Sequence, residues 1–215
     1  MMPAPKQLTT LIYCYDPMCS WCWGFKPVWQ RLQEMLQPQI TQGELIIEYR
    51  VGGLARDSDQ PMPETMQNML QDTWRNIRQQ LGTEFNFDFW HDCQPRRSTY
   101  PACRACLVAR KHGLEEKMIE QIQHAYYLNA QNPSNNSTLK QCAHNIGIEG
   151  DIFDASLKEI EANQTLEREI RGARQLGLNS FPSLALMKNE QVIHIALDYH
   201  DANVMAERIQ QVLKG

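Results

Sequence analysis

The first strong apolar run is TTLIYCY (9–15), rich in β-branched and aromatic residues and stopped by Asp16-Pro17. A run of this kind bounded by a turn dipeptide predicts a buried strand. From about Cys19 to Leu36, Trp21, Val28, Leu32, Met35 and Leu36 fall at helical spacing, with Pro27 bending the second turn and Pro38 marking the end. ELIIEYRVGG (44–53) predicts a second strand. Two strands joined by a helix of this length make a right-handed parallel βαβ unit.

After Pro61 the strand signals nearly vanish. Met66, Leu70, Trp74, Ile77 and Leu81 form one helical stripe closed by Gly82. Further helices are predicted over 101–112, 114–130, 138–146, 151–161 and 165–176, several of them followed by Gly113, Gly147 or Gly177. SLALMK (183–188), the turn Asn189-Glu190 and QVIHIAL (191–197) then read as a hairpin, and 201–213 as an amphipathic helix with Asp201 as its N-cap. The order β-α-β, helical block, β-β-α predicts an α/β chain: a thioredoxin fold carrying an inserted all-helical subdomain. Residues 1–60 plus 178–215 form the thioredoxin-like part, and 61–177 the insert.

Composition narrows the partners. A chain of 215 residues with a formal charge of −4 has no basic footprint for phosphates, so nucleic acid is not expected. The amino-terminal MMPAPKQLTT has one Lys and no apolar core, and Leu11–Tyr15 is too short for a signal or a membrane span. The expectation is a soluble, cytoplasmic chain. Seven cysteines, an odd number, argue against a disulfide framework and leave free thiols, redox thiols or metal ligands.

The chemistry concentrates at Cys19-Ser20-Trp21-Cys22, where the first strand gives way to the first helix. A thiol at a helix start meets unpaired backbone N–H groups and the positive end of the dipole, which favour its thiolate. Cys19 is therefore the expected nucleophile. Cys22, within one turn, is the resolving thiol for a mixed disulfide. Ser180-Phe181-Pro182-Ser183 precedes the last hairpin. In thioredoxin-like sites a cis proline stands beside the dithiol, and the residue before it offers backbone groups to an extended substrate. Ser20, Trp21, Phe181 and Pro182 are thus the candidates for contacting substrate. Without that context Pro182 would read as an ordinary trans proline at a strand start.

Cys103-Arg104-Ala105-Cys106 is a second C-x-x-C, 84 residues beyond the first counted from Cys19 to Cys103. It lacks a strand-to-helix setting, so packing of two thiols on one helix face is the main reading. A relay, should the insert fold back over the dithiol, and a zinc site using both pairs are the alternatives. Cys14 and Cys142 read as core. His91-Asp92-Cys93 is poor grounds for a triad, whose members usually meet in space rather than in sequence.

YDPMCSWCWGF (15–25), RRSTYPACRA (96–105), GLNSFPSLAL (177–186) and the order of elements resemble the DsbA-like proteins, and among them the FrnE-like branch. The resemblance implies a thioredoxin fold with a helical insert, a nucleophilic Cys19, a resolving Cys22 and a cis Pro182. The expected activity is thiol–disulfide exchange on a disulfide or dithiol substrate, either a protein or a small thiol such as glutathione, with no resident cofactor or metal. The expected absence of an export signal is a departure from the DsbA type. The related hydroxychromene carboxylate isomerases use glutathione and a serine at the position of Cys19, so a glutathione-dependent isomerase or transferase is the weaker reading here.

Overall fold

The structure, a computed structural model, describes residues 8–214. Residues 1–7, on which the expectation of no signal sequence partly rests, and Gly215 lie outside it. A four-stranded sheet of order β2-β1-β3-β4 is built from β1 (Thr9–Tyr15), β2 (Leu45–Val51), β3 (Ser183–Lys188) and β4 (Gln191–Ile195). β1 runs parallel to β2 and antiparallel to β3, and β3 pairs antiparallel with β4. Every residue of β1 is buried, as a central strand covered on both faces requires. Leu11, Tyr13 and Tyr15 belong to the main core, whereas Ile12 and Cys14 join Ala173, Leu178 and Ala185 on the opposite face. Cys14 is core, as its place in the strand predicts.

Helix α1 (Ser20–Thr41) crosses from β1 to β2. It does not end at Pro38. A proline near the end of a helix costs only one intrahelical bond, and the Pro38 carbonyl still accepts the capping N–H of Gln42 at 3.0 Å. The buried face also differs from the predicted one: Cys22, Phe25, Trp29, Leu32 and Leu36 point inward, and Trp21, Val28 and Met35 lie at its margin. Tyr13 sets this rotation by stacking on Trp29 with ring centroids 4.5 Å apart.

The helical insertion comprises α2 (Glu64–Leu81), α3 (Phe89–Asp92), α4 (Tyr100–Arg110), α5 (Glu115–Tyr127), α6 (Asn136–Asn145), α7 (Gly150–Ala162) and α8 (Thr165–Gln175). The short α3 gives no periodic signal in sequence, since four residues are a single turn. Trp74 of α2 anchors an aromatic cluster with Phe85, Phe89, Trp90, Tyr126 and Tyr127. Burial of such rings is the main source of cohesion here, with edge and stacked geometries adding about 0.5–1.5 kcal/mol per pair.

Arg110 of α4 ties the insertion to the sheet: it pairs with Glu115 and Glu169 and donates to the Tyr49 carbonyl of β2. Helix α9 (Ala202–Lys214) closes the chain, with Asp201 accepting the Asn203 N–H as the predicted cap. The hairpin turn has positive φ at both Asn189 and Glu190, the primed geometry that matches strand twist. Among the described residues no helix is long and apolar enough to cross a membrane.

Candidate functional site

Topology alone gathers three segments at one edge of the sheet. β1 and β2 are parallel, with Tyr15 opposite Val51, so their carboxy ends lie side by side. β3 runs the other way and starts at that edge, with Ser183 opposite Cys14. The residues just after β1, just after β2 and just before β3 therefore converge: Cys19, Gly52 and Pro182.

Cys19 is the N-cap of α1, in extended conformation (φ −80°, ψ 118°). Its N–H donates to the Asp16 carbonyl at 3.0 Å, and its thiol donates to the Phe181 carbonyl at 3.3 Å. A hydrogen bond from the Cys22 thiol, aided by the backbone N–H groups of Cys22 and Trp21, lowers the Cys19 pKa from its ordinary value against the opposing effect of burial. Burial drives Cys22 the other way, well above the ordinary thiol range. Cys19 keeps 7 % of its surface exposed and Cys22 1 %, so the first thiol is the more accessible of the two.

The Phe181-Pro182 peptide bond is cis. The Phe181 ring lies directly over Gly52, where a Cβ would sit 1.7 Å from the nearest ring carbon, so only glycine fits beneath it. Ser20, expected to contact substrate, lines the groove beside Cys19 and accepts a hydrogen bond from the Trp74 indole at 3.0 Å, which links the site to α2. Trp21 is half-buried, edge-on to Tyr199 at 5.3 Å. Trp23 stacks on Tyr127 and donates to the Glu84 carbonyl.

A groove of about 390 Å³ runs past Cys19, lined also by Trp21, Met62, Arg97, Asn179 and Phe181. A smaller cavity of about 170 Å³ reaches Cys22, lined also by Tyr13, Trp29 and Tyr49.

The insert does fold back onto this edge. Asp16, wholly buried, accepts hydrogen bonds from the Met18 and Leu54 N–H groups and the Thr99 hydroxyl, and the Cys103 thiol donates to it at 3.4 Å. Burial raises the Asp16 pKa, and these donors partly offset that. Asp16 thus pins the turn before Cys19 to α4. Cys103 and Cys106 are buried, and desolvation raises both thiols far above their ordinary range. Among the described residues no three His, Cys, Asp or Glu side chains gather as a metal ion would need, so the two pairs do not form the joint zinc cluster their sequence allowed. Cys93 donates to the Ala130 carbonyl at 3.1 Å while His91 is exposed, and Cys142 is packed in the core.

Asp16 and Tyr13 give no local signal of these roles: an acid two residues before Met18 has the pattern of a turn former, and Tyr13 that of any buried strand residue.

Known proteins share this fold. A crystal structure of a proposed protein disulfide isomerase from Nitrosomonas europaea matches with a TM-score of 0.81 at 24% identity, covering 97% of this chain and 98% of the other. The cytosolic disulfide reductase DsbM from Pseudomonas aeruginosa, solved with GSH, matches with a TM-score of 0.72 at 25% identity, covering 96% and 100%. The ClpXP adapter protein SpxH of Halalkalibacterium halodurans is 21% identical over 187 residues, or 86% of this chain. The chain spans about 60% of the length of the curated relatives it matches. The model of the DSBA-like thioredoxin domain matches residues 10–210, nearly the whole chain, and the protein belongs to that family.

Proposed function

We propose that the protein is a thiol–disulfide oxidoreductase in which Cys19 is the nucleophile and Cys22 the resolving thiol. The observation that carries this reading is the placement of Cys19: N-cap of a 22-residue helix, its thiol against the carbonyl that precedes a cis proline. The Cys19 thiolate attacks one sulfur of a substrate disulfide, forms a mixed disulfide and expels the other sulfur as a thiolate. Cys22 then loses its proton and attacks the Cys19 sulfur, releasing the second substrate thiolate. Two electrons pass from the dithiol to the substrate, and the protein is left with a Cys19–Cys22 disulfide. With a dithiol substrate the same steps run in reverse.

Phe181 and Pro182 present backbone to an extended substrate, with Trp21 as an apolar wall and Ser20 holding the loop through Trp74. No resident cofactor enters this cycle. The substrates are disulfides or dithiols, of proteins or of small thiols such as glutathione. The likeness to a cytosolic reductase solved with GSH supports that class and a cytoplasmic location. The same reading divides the chain into a thioredoxin-like part, 1–60 plus 178–215, that carries the thiols, and an insert, 61–177, that walls the groove.

The test is trapping. Cys22→Ser, offered a disulfide, accumulates a mixed disulfide through Cys19, identified by mass spectrometry of the linked peptide. If the adduct forms on Cys103 instead, or none forms on Cys19, the assignment is wrong.

A further inference from the structure

We infer that Arg97 is the carboxylate-binding residue of the groove beside Cys19, and that the small disulfides and thiols this site prefers carry a carboxylate. The inference rests on the dithiol reading and adds a specificity determinant to it.

The groove's charge runs against that of the chain. The chain has a formal charge of −4, yet the groove is lined by Arg96 and Arg97 with no Asp or Glu among its lining residues. The two arginines differ in employment. Arg96 donates to the Ser134 carbonyl at 2.6 Å and to Asn135 Oδ1 at 2.7 Å, and so builds the wall. Arg97 makes no hydrogen bond or ion pair among the described residues, although it is half-buried. Elsewhere half-buried arginines are committed: Arg104 pairs with Asp57 and Glu161, and Arg110 with Glu115 and Glu169. A partly desolvated guanidinium with no partner leaves its planar fork of donors open to a carboxylate.

The surroundings set the size and character of the ligand. A groove of about 390 Å³ falls within the range of small-molecule sites. Met18, Met62 and Leu70 offer an apolar path for a short stem, Cys19 meets the sulfur, and Arg97 meets the anionic end. Charge of one sign on low-dielectric walls also draws anions inward. In the exchange itself Arg97 takes no electrons or protons. It holds the carboxylate of the disulfide while the Cys19 thiolate displaces one arm as a thiolate and Cys22 later displaces the other.

The full-length reduced protein tests this directly. Its second-order rate of oxidation is measured with dithiodiglycolate, which bears a carboxylate on each arm, and with the neutral bis(hydroxyethyl) disulfide. Arg97→Ala slows the reaction with dithiodiglycolate about tenfold, the scale of one lost charge-assisted contact, and leaves the neutral disulfide within about twofold. Arg97→Lys recovers part of the loss, and added salt narrows the wild-type preference. Arg97→Gln, close in shape, makes the same measurement should the alanine variant prove unstable. Equal loss with both disulfides, or no loss with either, overturns the inference. Cys19→Ser separates the two readings: if that variant is still oxidised at a wild-type rate, the dithiol assignment fails whatever Arg97 does. If it is inert and Arg97 variants do not discriminate, only the carboxylate proposal falls.

Discussion

The molecule carries the same C-x-x-C spacing twice, and the two copies place their first thiol in opposite surroundings. Cys19 stands at the very start of α1 in extended backbone, where the N–H groups of Trp21 and Cys22 stabilise its thiolate and Cys22 adds a hydrogen bond. Cys103 is already inside α4, its own N–H spent on the Thr99 carbonyl, its side chain buried against the acid Asp16. Burial and that carboxyl push its thiol up rather than down. Spacing brings two thiols within a helical turn of each other. Whether one of them is reactive depends on the helix position of the first and on what faces it.

The largest effect that should separate the pairs is loss of exchange. Cys19→Ser is expected to reduce disulfide turnover to the uncatalysed background and to form no adduct at that site. If activity survives, the pairs are not distinct in the way their environments imply. Alkylation sharpens the contrast next. In the folded, reduced protein Cys19 should be modified well below the pH needed for a free thiol of pKa about 8.5, with Cys103 and Cys106 reacting only on denaturation. Peptide mapping after a brief pulse of iodoacetamide at several pH values reads the order.

The same shift has a stability consequence. Because the folded Cys19 pKa lies below that of a free thiol, the folded reduced chain binds fewer protons than the unfolded one between those two values. Cys19 therefore adds stability to the reduced form that is full above the ordinary value and is lost as pH falls through the lowered one. Denaturant melts of the wild type and Cys19→Ser across that window should diverge as pH rises.

Gly52→Ala is expected to act on the first pair alone. The new methyl must displace the Phe181 ring, and with it the carbonyl that faces Cys19. A misplacement of about 1 Å at a reacting centre can cost as much as 100-fold, and a loss of about tenfold in exchange rate is the expected result. An unchanged rate would show that Phe181 does not position substrate. The smallest effect is reserved for the second pair. Cys103→Ala with Cys106→Ala should leave turnover within a few-fold of wild type and lower stability by about 1 kcal/mol. If turnover is abolished while the fold survives, the buried pair is a relay after all.

Much of this could be read from local pattern. Strands 9–15 and 183–188, the hairpin turn at Asn189-Glu190 and the glycines that close α2 and the later helices follow from propensity and from backbone conformations that few residues tolerate. The cis Pro182 was legible only through the combination of its motif with the dithiol. Helix α1 was less faithful to pattern, because Tyr13, a residue of another element, selected which of its apolar residues face inward.

By itself, the sequence determined that a dithiol would sit at a strand-to-helix junction, since side-chain alternation, a turn dipeptide and helical spacing are all properties of neighbouring residues. Only the tertiary structure decided which partners that dithiol has. The strand order brings Gly52 and Pro182 to the edge where β1 ends, and the insert places Thr99 and Cys103 on Asp16 and Arg97 in the groove. These residues lie tens of positions from the cysteines they surround. Their meeting is a consequence of how the helices pack across the sheet's edge, and that packing leaves no signature at any single position of the chain.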